Sequence, residues 1–174
     1  MTHKITTPFT AEVIEKLRAG DNILLSGEIY TARDAAHKRL IEEIPFDPHG
    51  QAVYYAGPCP APPGRPIGSA GPTTSSRMDA YAPQLIAQDL KIMIGKGIRS
   101  PEVIAAIKQH GGLYLAAAGG AGALISLCVE ECRQVAYEDL GTEAVHLLSI
   151  KDMPLTVAID SKGGNIYDRE DKQK

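Results

Sequence analysis

Eight of the twelve prolines fall between residues 45 and 72. A proline inside a helix removes a hydrogen bond and collides with the preceding turn, so helices belong before Pro45 and after Thr74. Within the block, Val53-Tyr54-Tyr55-Ala56 reads as a short strand and Ile67-Gly68-Ser69-Ala70 as another, joined by a stiff loop from Pro58 to Pro66. Because strand-like segments bracket it, the loop is expected to be ordered.

The flanks carry ordinary start and stop signals. Thr10 reads as the N-cap of a helix over 11–19 that Gly20 ends, and Asn22 to Tyr30 reads as a strand with a bulge or a close backbone approach at Gly27. A helix over 33–43 stops before Pro45. After Arg77 the spacing predicts a helix over 79–88, a strand over 92–94, and a helix opened by Ser100-Pro101-Glu102 and ended by Gly111-Gly112. A strand over 113–117, a helix over 119–128, a strand over 134–137, a short helix over 142–148 and a strand over 155–159 complete the pattern. Strand and helix alternating in the second half predict parallel βαβ units, and the fold class is mixed α/β. The chain shows no internal repeat.

With 44% hydrophobic and 22% charged residues in 174, the composition is globular, and one domain over 1–165 with a polar tail over 166–174 is expected. The net charge of -3 gives no global positive field, so neither nucleic acid nor a membrane is expected as a partner. Neither a basic, apolar leader nor a bilayer-length apolar run is present, and a soluble, cytoplasmic protein is expected. The three cysteines, Cys59, Cys128 and Cys132, make a poor disulfide framework, and their spacing matches no zinc or redox motif. They read as reduced thiols, with Cys128 and Cys132 packing near a helix end, and no metal site is expected in this chain.

Four places could carry chemistry. Thr73-Thr74-Ser75-Ser76 followed by Arg77 offers hydroxyls, backbone N–H groups and a guanidinium to an anion. The same run also reads as a capping turn with Arg77 in a surface ion pair. Lys96, between Gly95 and Gly97 after a strand, stands where ligands of α/β sheets gather. Arg33 is another cation at a strand end, and His37 beyond it reads either as a general acid or base or as a structural hydrogen-bond partner. The Gly-rich run over 118–123 invites a dinucleotide reading, but Ile125 stands where a third small residue belongs and no P-loop lysine follows. Tyr137-Glu138-Asp139-Leu140 reads as a charge cluster at a helix start.

Taken together, Gly57-Pro58, Ile67-Gly68-Ser69-Ala70-Gly71-Pro72-Thr73-Thr74, Arg77-Met78-Asp79 and Ile94-Gly95-Lys96-Gly97 resemble the β subunit, or C-terminal domain, of the class I fumarase and L-tartrate dehydratase family. The likeness extends through Thr31 to His37, Gly119-Gly120, Tyr137 to Gly141, Ala158-Ile159-Asp160 and Gly164-Asn165, nearly the whole chain. Cys59 stands where the family commonly has Thr, and Ser75-Ser76 replaces a small-Gly pair.

The resemblance implies a swivelling three-layer β/β/α domain with a partly parallel central sheet. It implies a reversible hydro-lyase subunit that interconverts fumarate and malate, or acts on tartrate, with a [4Fe-4S] cluster carried by a partner α subunit and no cofactor bound here. The expected partners are that α subunit, a small dicarboxylate substrate and further copies in a homo- or hetero-oligomer. By resemblance Arg33, Arg77, Lys96 and Thr74 hold the substrate and Thr73 is the proposed base. A hydroxyl is a very poor base at neutral pH, so Thr73 requires neighbouring cations, N–H donors or a relay. A dicarboxylate-sensing module using the same basin is the reading of another class.

Overall fold

Local signals written in the sequence set most of the helices of the computed structural model, which describes residues 2–118 and 122–168. Thr10 accepts from the Val13 amide to open α1 (Ala11–Lys16), and Ser100 does the same for Val103 at the start of α4 (Pro101–His110). Gly111, left-handed, ends α4. The remaining α-helices are α2 (Asp34–Leu40), α3 (Ala82–Ala87) and α5 (Gly122–Ser126).

The described residues form seven strands: β1 (Thr2–Thr6), β2 (Asn22–Thr31), β3 (Ala52–Tyr54), β4 (Ile92–Gly95), β5 (Leu113–Ala116), β6 (Val129–Ala136) and β7 (Val145–Ile159). They lie in the order β1-β2-β3-β4-β5-β7-β6, and β2 also pairs with β7. The first five are mutually parallel, whereas β7 runs antiparallel to β5, β2 and β6. Because β7 meets both β5 and β2, the strands β2, β3, β4, β5 and β7 close into a ring. The helices α2, α3 and α4 supply the crossovers that parallel neighbours need.

Alternation along each strand divides the core. Ala52, Tyr54, Ile92, Ile94, Leu113 and Leu115 pack with Ile23, Leu25, Leu148 and Val157 in one cluster. Val53, Met93 and Tyr114 pack against Leu40, Leu85, Ile86, Val103 and Ile107 of the helices in another. Burial on both faces explains why β4 and β5 read as unbroken apolar runs. The fold is mixed α/β with a partly parallel sheet, as the sequence predicts.

Several expectations are corrected. Residues 142–148 are not a helix: a 3-10 turn over Glu138–Glu143 leads into the 15-residue strand β7. Ile67 to Ala70 is not a strand; its backbone instead bonds to Cys59, and Ala70 bonds to the Gly122 carbonyl. The helix expected over 79–88 is shorter, α3 alone, and is preceded by a separate 3-10 turn (Ser75–Met78). In the second half β4-α4-β5 is a parallel βαβ unit as expected, but β6 and β7 are antiparallel, and the first-half strands β1, β2 and β3 are parallel as well. Cys132 lies on β6 rather than near a helix end, and β1 went unread because only Ile5 of its residues is buried. Gly119 and Gly120 lie outside the described residues.

Candidate active site

The parallel strands β2, β3 and β4 are neighbours, so their carboxyl ends share one end of the sheet. Arg33 follows β2 as the N-cap of α2, Gly57 follows β3, and Lys96 follows β4. The segment that returns from the proline-rich loop is inserted between the last two exits. The Thr73 amide donates to the Tyr55 carbonyl at 2.7 Å, Thr74 forms a parallel bridge with Lys96, and the Ser75 amide donates to the Lys96 carbonyl at 2.9 Å. Segments far apart in the chain thus bring Arg33, Thr73, Thr74, Arg77 and Lys96 to one sheet end.

Each side chain has a distinct setting. Arg33 lies along Gly57, where an added Cβ would stand 3.0 Å from both its Cδ and its Nη1. Its Nε is buried without a hydrogen-bond partner, and Glu143 Oε1 lies 4.0 Å from it. Arg77 projects outward, half exposed, with Nη2 bonded to Asp34 Oδ2. That contact matches the surface ion-pair reading and leaves the rest of the guanidinium fork free to meet a ligand. Lys96 has no ion pair among the described residues. Thr73 is partly buried, Thr74 is exposed and Ser75 is fully buried.

His37 is placed as a structural residue. Its Nδ1 lies 2.8 Å from the Arg33 carbonyl, which can only accept, so the proton sits on Nδ1. Burial lowers its pKa from 6.5 to about 4, against the raising influence of that carbonyl, and Nε2 is left buried without a partner. The ring is neutral near pH 7 and holds the first turn of α2 behind Arg33. Asp139 is likewise structural, forming a two-bonded pair with Arg39 at 2.8 and 2.5 Å.

Sequence reasoning missed Asp34 as the partner of Arg77, Glu143 beside Arg33, and Arg99 as the partner of Asp79. The Arg99 Nε donates to Asp79 Oδ1 at 2.7 Å, and the guanidinium is fully buried. The one available signal was Asp79 itself, a charge in an otherwise apolar stretch after Met78.

A cavity of about 370 Å³ lies next door, between the proline-rich loop and the β6–β7 edge. Pro58, Cys59, Cys132, Thr142 and His146 are among its lining residues, but none of the three candidate cations is. Cys128 and Cys132 pack on the core, and burial raises both thiols. No group of three or more His, Cys, Asp or Glu among the described residues could hold a metal ion. No helix among the described residues is long and apolar enough to cross a membrane.

The family model described as "Fumarase C-terminus" matches residues 2–170. The chain belongs to the fumarase C-terminal family. It is 39% identical over 151 residues to "Fumarate hydratase class I, aerobic" of Escherichia coli K12, covering 82% of this chain and 28% of that protein. It is 34% identical over 174 residues to "Putative fumarate hydratase class I" of Geobacillus stearothermophilus, covering 97% of this chain and 34% of the relative. With "L(+)-tartrate dehydratase subunit beta" of Escherichia coli K12 it shares 36% identity over 170 residues, which are 93% of this chain and 85% of that subunit. The chain therefore spans about a third or less of the fumarate hydratases it matches, but most of a tartrate dehydratase β subunit. The family resemblance read from Gly-Pro-Thr-Thr, Arg-Met-Asp and Gly-Lys-Gly is borne out.

Proposed function

We propose that this fumarase C-terminal chain is the β subunit of an iron–sulfur hydro-lyase that interconverts fumarate and malate. In this reading the domain is the swivelling three-layer β/β/α unit. The ring of strands around one core, with a helical layer over the second, supports that description. In this reading the [4Fe-4S] cluster belongs to a partner α subunit, in keeping with a chain of only three cysteines.

The observation that carries the reading is the placement of three cations beside the Thr73-Thr74 segment at one sheet end. Arg33 and Arg77 can each grip a carboxylate through a planar fork, and Lys96 adds a point charge. Removing a proton next to a carboxylate builds an aci-carboxylate carrying extra negative charge. Fixed cations stabilise that charge more than they stabilise the ground state, which is the requirement for catalysis. Thr73 is the proposed carrier of the proton at its Oγ1, and Thr74 assists in holding the substrate. Asp34 and Glu143 offset part of the positive charge and orient the two arginines while no ligand is bound.

The chain's match to 85% of a tartrate dehydratase β subunit favours a separate-subunit organisation and makes L-tartrate the second substrate to test. The purified chain, mixed anaerobically with its α-type partner, is expected to consume fumarate as followed by ultraviolet absorbance, whereas either protein alone is inactive. Absence of turnover with both fumarate and L-tartrate in the mixture contradicts the hydro-lyase reading. Calorimetric binding of a diacid by the chain alone, with that same inactivity, would support the sensing module instead.

A further inference from the structure

The fully buried side chain of Arg99 pairs with Asp79, two residues after Arg77. Its Nε meets Asp79 Oδ1, and its Nη2 donates to the Tyr55 hydroxyl at 3.2 Å. The guanidinium carbon stands 5.2 Å from the Tyr55 ring centre and 4.8 Å from that of Tyr114. The second Asp79 oxygen accepts from the Ser100 amide at 2.8 Å. Burial works against the charge on Arg99, but Tyr55 and Asp79 more than offset it and raise its pKa. An unpaired buried charge would be very costly, so this pairing fixes Asp79 and with it the end of the Thr73–Asp79 segment.

At the other end of the same assembly the Tyr114 hydroxyl lies 2.7 Å from the Gly97 carbonyl and 2.8 Å from Ser75 Oγ. A phenol has one proton and the carbonyl can only accept, so Tyr114 donates to Gly97 and Ser75 donates to Tyr114. One oxygen atom on β5 therefore ties the residue after Thr74 to the residue after Lys96. Ser75 fills the space that a side chain at Gly95 would occupy. Neither Ser75 nor Tyr114 is exposed to a ligand, and both are fully buried.

We infer that Tyr114, backed by Arg99 and Asp79, is a positioning residue that sets the spacing between the Thr73-Thr74 segment and Lys96. Its catalytic consequence rests on the hydro-lyase reading, whereas its structural consequence does not. Loss of the hydroxyl leaves the Gly97 carbonyl and the Ser75 hydroxyl unpaired while the ring still fills the core. Misplacing a group at the reacting centre by about 1 Å costs up to about a hundredfold in rate.

The test compares wild type with Tyr114→Phe, Ser75→Ala and the double variant. In the chain alone, amide hydrogen exchange at Ser75, whose N–H bonds to Lys96, should quicken about tenfold or more in each variant. The Gly20 amide, bonded to the Val157 carbonyl far from the site, should be unchanged. In the complex with the α-type partner, kcat for fumarate should fall at least about tenfold with KM moved less than about threefold. The double variant should be no worse than either single one, because both remove the same link. Wild-type exchange at Ser75, equal acceleration at Gly20, unchanged kcat, or additive losses each overturn the inference. If Tyr114→Phe does not fold, Ser75→Ala decides by the same measurements. If the wild-type complex turns over neither diacid, the hydro-lyase reading falls and the exchange rates alone decide the positioning claim.

Discussion

His37 shows how burial decides what a side chain can do. Beside an arginine at a strand end, a histidine invites an acid–base role, yet its Nδ1 is held by the Arg33 carbonyl and burial lowers its pKa to about 4. The folded pKa lies below the ordinary 6.5, so the unfolded chain binds the proton more readily. Its contribution is present above pH 6.5 and is lost as the pH falls toward 4, by roughly 3 kcal/mol in all. Replacing it by His37→Asn removes this pH-dependent part. Urea unfolding across the window should show the stability gap between wild type and variant closing as pH falls, whereas parallel profiles would contradict the assignment. The carboxylates at the site follow the same logic of neighbours: Asp34 holds Arg77 from 43 residues away, a partnership that no local pattern announces.

At the scale of elements, the site is built from strand exits, and close backbone approach sets its tolerances. Gly95 ends β4 with Ser75 Oγ lying where its Cβ would go and Tyr55 Cδ2 only 2.9 Å from that position. Gly95→Ala must displace a buried serine or an aromatic ring, and such overpacking costs about 1–3 kcal/mol. A lowered urea midpoint with unchanged m-value is expected, and a wild-type midpoint would show that the contact is not tight. Elements with local signals were legible: Ser100-Pro101 and Gly111 delimit α4, and Gly27 falls at the register shift in β2. Of strand β7 only residues 155–159 were legible; its first residues read as a helix, because its partners on β2 lie more than 100 residues away and short apolar runs suit a helix as well as a strand. The Arg33, Thr73, Thr74, Arg77 and Lys96 set came from motif likeness. Asp79–Arg99 and Tyr114–Ser75 did not, since only tertiary packing joins them.

For the whole molecule, the closed ring of β2, β3, β4, β5 and β7 leaves one sheet end to gather residues from distant segments. In the proposed reading, chemistry placed there would take its metal from a partner and its cations from this chain. The relatives include fumarate hydratases of which this chain spans about a third or less and a protein named as a β subunit of which it spans 85%. The most direct test of that division is the initial rate of the reconstituted complex with fumarate, comparing wild type with Arg77→Lys and with Arg133→Lys on the edge strand β6 as control. Lysine keeps the charge at position 77 but loses the planar fork. A fall in kcat/KM of about a hundredfold for Arg77→Lys alone, a loss typical of displaced transition-state contacts, is the predicted result; rates equal to wild type for both variants would contradict the account.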